Sequence, residues 1–269
     1  MVKKLFKHEF LAWLRISWVV AAVVMTVAGA HRLLQLFESD SPIYVLINVM
    51  TLLVYALTLF GAMCFPTVYA VVRFYKNLFT GEGYLSFTLP VTPTAHLWVK
   101  SLTATAMSVA VALVCLLSGM LITAGDVFSE VCKLIGYYFD KLPADQLWHY
   151  IGVGLEMTVL LIVSAFGGHM VYYTCICAGQ LFRKHRLVMS VVVFFAYYYV
   201  TQIFSIILGV VMEVLEMKGT LNNFYAWCAQ HYIATTHISL LGSLALNGIL
   251  AVACFLVCRW VMTRKLNLE

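Results

Sequence analysis

Charge is the scarcest commodity in this chain of 269 residues: 11% of positions are Asp, Glu, Lys or Arg, less than half the share of an ordinary soluble domain. With 63% of residues hydrophobic, too few polar side chains remain to cover a water-soluble globule of this size. Disorder and a nucleic-acid-binding domain are excluded by the same composition, despite a formal net charge of +5. Proline is scarce too, with five residues in all, so long helices can run uninterrupted.

Familiar catalytic signatures are also missing. The phosphate-binding pattern G-x-x-x-x-G-K-[ST] has no match, since Gly81-Glu82-Gly83 lacks the lysine and the hydroxyl residue. None of the eight histidines forms H-E-x-x-H, and no G-x-S-x-G elbow occurs. Cys175 with Cys177 and Cys254 with Cys258 lie in apolar runs without a matching second pair, so they read as small buried hydrophobes rather than metal ligands. No directly bound cofactor or metal is expected.

What the chain has is long apolar runs. A membrane span needs about 20 apolar residues to cross a hydrocarbon layer of about 30 Å, and six stretches qualify: residues 16–37, 43–72, 101–125, 151–182, 187–212 and 238–262. Their continuity excludes a β-barrel, whose strands alternate over about ten residues. The expectation is one all-α integral membrane domain over residues 1–269, with lipid as its surroundings. Ala28-Gly29-Ala30 resembles a signal-peptidase site, but the first run is read as a retained span.

Orientation follows from the basic residues. Thirteen of the seventeen fall in segments assigned to the cytoplasm, among them Lys3, Lys4, Lys7, Arg15, Arg73, Lys76, Lys100, Arg259 and Arg264, against Arg32, Lys133, Lys141 and Lys218 outside. The positive-inside rule then places both termini in the cytoplasm. Residues 1–15 carry Leu5, Phe6, Phe10 and Trp13 at helical spacing beside lysines, the pattern of an amphipathic interfacial helix. Outside, residues 126–150 put Val127, Val131, Leu134, Tyr138 and Leu142 on one face of a helix that Pro143 ends.

Several side chains invite functional readings. Glu156 and His169 share the fourth span but stand thirteen residues apart, about 20 Å along a helix, too far to act together. Glu156 reads as an interfacial carboxylate. His169, Tyr172 and Tyr198 either pack against other helices or line a cavity. Cys132 and Cys228, both placed outside, are candidates for a disulfide. Ala104, Ser108 and Ala112 permit close helix approach.

The cytoplasmic segment 73–100, RFYKNLFTGEGYLSFTLPVTPTAHLWVK, is longer than a hairpin between spans requires. Gly81, Gly83, Pro90 and Pro93 punctuate it, around an apolar knob of Tyr84, Leu85, Phe87 and Leu89. Composition alone fits equally a loop packed on its own protein and an element that docks a partner.

Here the sequence resembles a known family, the permease subunits of ABC-2 type transporters, and most closely a subgroup from Gram-positive bacteria. The match is carried by Glu82-Gly83-Tyr84-Leu85, then Leu89-Pro90-Val91-Thr92, then Lys100 opening the third span. It departs from the family's E-x-G-T-L turn by one missing residue and by Tyr84 in place of threonine. The resemblance implies that the loop is a coupling helix, with Glu82, Gly83, Tyr84, Leu85, Phe87, Leu89 and Pro90 docking on a separate ATPase subunit that holds ATP and Mg. It also implies a second permease subunit, location in the bacterial cell membrane, and export of an amphipathic peptide, antibiotic or lipid-like substrate. The alternatives are a membrane enzyme acting on lipid or peptide, which would need a nucleophile or paired acids at one depth, and a non-transporting sensor or scaffold.

Overall fold

The computed structural model describes residues 2–37, 39–81, 83, 88, 91–141, 146–182 and 184–264. Among them no strand occurs, and they include the helices α1 Val2–Gln35, α2 Pro42–Phe79, α3 Pro93–Ile122, α4 Asp126–Lys141, α5 Leu147–Gly179, α6 Arg186–Met217, α7 Asn222–Gln230 and α8 Tyr232–Arg264. All but α4 and α7 are long and apolar enough to span a membrane. Each of these six contains, or nearly contains, one of the stretches expected from the sequence.

The boundaries differ for identifiable reasons. The segment expected to be a separate interfacial helix is continuous with the first span, because α1 runs unbroken through residues 15 and 16. Its buried residues Glu9, Trp13, Ser17, Val24, Ala28 and His31 form a single stripe along the helix. Likewise, α2 continues past Arg73 because Phe74 and Leu78 extend the buried stripe begun by Ala70. At the far side of the loop Pro93 opens α3 at a position where its missing N–H costs no helical bond, and the Thr92 hydroxyl accepts from the Ala95 N–H at 3.4 Å. The connection between α2 and α3 is therefore residues 80–92, shorter than the expected loop 73–100, and Gly81, Gly83 and Thr88 within it are helical. Most of its expected docking residues, namely Glu82, Tyr84, Leu85, Phe87, Leu89 and Pro90, lie outside the described residues.

The chain divides into two compact units, Met1–Asp145 and Gln146–Glu269. In the first, α1, α2 and α3 pack on one another. Val24, Ala62 and Val111, one from each helix, form its buried centre, with Val20, Leu59, Val114 and Cys115 around them. Tyr55 and Ser118 share a buried hydrogen bond of 2.9 Å between α2 and α3. Ala104 of the small-residue series is fully buried. Helix α4 packs little of its apolar face, with Val131 and Leu134 about half exposed, as befits a helix lying at an interface.

In the second unit α5 packs against α6 and, most extensively, α8. Thr174 ties α5 to α8 by donating to the Cys254 carbonyl at 3.2 Å, and its hydroxyl stands 3.3 Å from Cys258 Sγ. Cys175 and Cys177 are buried in the same seam, which accounts for these cysteines as packing residues.

Candidate functional site: a charged knot at the foot of the 80–92 connection

The most densely connected polar site in the first unit is built around Glu9, which is 7% exposed. Arg73, six residues before α2 ends, grips it with both arms: Nε donates to Oε1 and Nη2 to Oε2, each at 2.8 Å. Lys100, in the second turn of α3, donates from Nζ to Oε1 at 2.9 Å. One carboxylate thus ties together three helices, two of which are the feet of the 80–92 connection.

The surroundings hold these charges in place. Arg73 Nη1 donates to the Tyr69 hydroxyl at 3.3 Å, and Trp13 packs edge-on to the Tyr69 ring at 4.6 Å. With its amide nitrogen donating to the Arg73 carbonyl at 3.3 Å, Asn77 turns its oxygen to Lys100 Nζ at 3.2 Å. Burial by itself raises the Glu9 pKa, but the Arg73 hydrogen bond and the Lys100 and Arg73 charges more than reverse this. The carboxyl is held down to about 2, against an ordinary 4.5. Arg73 is pushed in the stabilising direction too, chiefly by its bond to Glu9.

Of the residues expected to dock a partner, Gly83 is described. It is buried, its N–H donates to the Thr80 carbonyl at 2.7 Å, and a Cβ there would stand 2.5 Å from the Leu78 carbonyl oxygen. Only glycine permits the connection to fold back so closely on the end of α2.

A second polar cluster lies at the opposite end of α1 and α2. Thr51 donates to the Asn48 carbonyl at 2.9 Å, so its oxygen accepts from His31 Nδ1 at 2.8 Å. That leaves His31 Nε2 to accept from Gln35 at 3.2 Å, while the Gln35 oxygen accepts from Arg32 at 3.1 Å. Every donor in this chain of bonds has one acceptor, and the logic assigns a neutral, Nδ1-protonated His31. Twenty-two residues separate Glu9 from His31 in α1, and the same number separate Thr51 from Arg73 in α2. At helical rise this is about 33 Å, close to the hydrocarbon thickness of a bilayer. The two clusters bracket the apolar stretch.

In the second unit, Glu156 is not a lone interfacial carboxylate. His237 Nδ1 from α8 lies 2.9 Å from both of its oxygens, and the His149 ring stands 5.9 Å from that of His237. His169 is buried and stacks on Tyr173 at 6.5 Å, Tyr172 stacks on Phe194 at 5.5 Å, and Tyr198 is about half exposed beside Tyr199. Cys132 and Cys228 carry free thiols on different units. Among the described residues no cluster of three His, Cys, Asp or Glu side chains suits a metal ion.

Glu9, Asn77, His31 and His237 escaped the sequence reading. For Glu9 a signal existed: it is the only acidic residue before position 38, and it sits four residues before Trp13 on the same helical face. No protein-family model matches the chain, and neither a curated protein nor a solved structure matches it.

Proposed function

We propose that the chain is the membrane-spanning subunit of a bacterial ATP-binding cassette exporter. A separate ATPase subunit would hydrolyse ATP with Mg and seat on the 80–92 connection. The observation that carries this reading is the knot at Glu9. A force applied to the connection reaches Arg73 through α2 and Lys100 through α3, and both hand it to α1 through one buried carboxylate. Gly83, packed on the Leu78 carbonyl, couples the start of the connection to α2 without slack. Packed elements joined in this way move as a body rather than deforming.

The distribution of basic residues supports a cytoplasmic position for the connection and both termini. A second permease subunit would complete the membrane part, and the rarity of charged side chains in the spans favours an amphipathic cargo over a strongly ionic one. The test is to replace Leu85 or Leu89 by Glu in the full chain co-expressed with its ATPase. Membrane insertion is expected to persist while the ATPase no longer co-purifies or loses substrate stimulation. Unchanged co-purification and unchanged stimulated hydrolysis in both variants refute the docking role.

A further inference from the structure

An arginine among lipid tails is costly unless it is paired or reaches back to the headgroups. Arg15 lies six residues from Glu9 in α1, about 9 Å inside the hydrocarbon layer that Glu9 and His31 bracket. It is exposed, and among the described residues it makes neither an ion pair nor a hydrogen bond. Lys7, Leu11 and Trp18 share its helical face, at successive spacings of four, four and three residues, and all are exposed, Trp18 by 65%. Glu9, on the opposite face, is taken by Arg73 and Lys100. Among the described residues, the positive charge of this face has no counter-charge from the protein.

Helical side chains lean toward the helix amino terminus, so Arg15 extends toward Leu11 and Lys7, the direction of the membrane surface. Lys7 lies two residues beyond Glu9, about 3 Å outside the hydrocarbon layer, where lipid phosphates stand. Deeper in the layer, an apolar groove of about 150 Å³ opens between Leu14, Trp18 and Ala21 of α1 and Met107 and Ala110 of α3. Its lining extends to Val24 on α1 and Val114 on α3. Counted from Glu9 and Lys100, these stretches cover depths of about 8–22 Å and 10–21 Å. The midplane is about 15 Å in, so the groove begins among the acyl chains of one leaflet and ends just past their tips.

We propose that this face binds an anionic phospholipid of the leaflet at the amino-terminal end of α1, its phosphate held by Arg15 and Lys7 and one acyl chain lying against Trp18 in the groove. Charge complementarity selects this occupant. An uncharged apolar molecule fills the groove but leaves Arg15 unpaired in hydrocarbon, and a soluble anion has no apolar part to place there. A phospholipid carries both groups in one molecule, in the order and at the depths that α1 sets. Anionic headgroups are preferred over zwitterionic ones because a choline ammonium beside Lys7 and Lys4 is repelled, whereas a bare phosphate is attracted.

The inference rests on α1 crossing the bilayer and not on the transport reading, and its test contains no ATPase, so either stands if the other falls. The full chain is reconstituted in phosphatidylcholine vesicles doped with phosphatidylglycerol or phosphatidylcholine bearing a diazirine in one acyl chain, irradiated, and its labelled peptides are mapped. Phosphatidylglycerol is expected to label residues 14–24 and 107–114 several-fold more strongly than phosphatidylcholine does. One basic residue near an anionic surface is worth about fivefold in binding. Arg15→Gln and Lys7→Gln should therefore each lower the phosphatidylglycerol label about fivefold and leave the phosphatidylcholine label unchanged, while Arg15→Lys keeps most of it. Ala110→Leu, at an exposed position, fills the groove and should remove the label from both segments. Lys7→Gln, near the free end of α1, carries the test should Arg15→Gln fail to insert. Equal labelling by the two lipids overturns the proposal, as does a phosphatidylglycerol label that neither charge variant lowers or that is spread evenly over the spans.

Discussion

Replacing Glu9 by Gln removes one charge and almost no volume, and the structure sets what that should do. In the wild-type protein Arg73 and Lys100 share the Glu9 carboxylate at 2.8 and 2.9 Å. In the variant two cations face a neutral amide that can accept from only one of them well. Removing one partner of a buried pair costs about 3–5 kcal/mol. The Arg73 side chain keeps 22% of its exposure and can draw water, whereas that of Lys100 keeps 6% and cannot, which places the expected loss near the lower end, about 3 kcal/mol. Lys100→Met should cost less, about 1 kcal/mol, because the two-armed Arg73 bond survives and an expensive burial is relieved. Unfolding of the purified full chain can be followed by tryptophan fluorescence, with Trp13 packed on Tyr69 as the local reporter. The acid dependence supplies an independent check. Since Glu9 is depressed from 4.5 to about 2, its contribution is fully present above pH 4.5 and is lost as pH falls from there through about 2. The wild-type advantage over Glu9→Gln should shrink across that window and be constant above it. A Glu9→Gln variant as stable as wild type at neutral pH, or less damaging than Lys100→Met, would refute the knot as a fastening of three helices.

Three further outcomes follow from the same geometry. Gly125 has φ +112° and sits against the Arg32 guanidinium, with 2.9 Å from Nη2 to where a Cβ would be, so Gly125→Ala should lower thermal stability by about 1–3 kcal/mol. Thr51→Val removes the acceptor for His31 Nδ1 and should cost about 1–2 kcal/mol in the same unfolding assay, with Ser at that position restoring most of it. Glu156→Gln breaks the contact to His237, whose partners are both about a quarter exposed; a loss below about 1 kcal/mol is expected, and a double-mutant cycle with His237→Gln should show coupling between the two sites.

The six long helices were legible in the sequence because a bilayer demands length and apolarity of each segment separately, and both can be read residue by residue. The α2–α3 connection was legible as a region for a related reason: Gly81, Gly83, Pro90 and Pro93 disfavour a continuous long helix by local chemistry. Its borders were not, since Phe74 and Leu78 continue α2 only because other helices are there to bury them. Glu156 looked solitary because its partner His237 is 81 residues away. Glu9 escaped notice because its partners Arg73 and Lys100 are 64 and 91 residues away in the chain.

By itself, then, the sequence determined that the chain is helical and built for a bilayer, and its basic residues favour one orientation. Those properties arise within a helix or from the solvent on either side of it. Which charges meet and which histidine is neutral were decided only by tertiary structure. Each depends on the rotation and depth at which separate helices pack, and a single carboxylate at position 9 acquires its role only once three of them have done so.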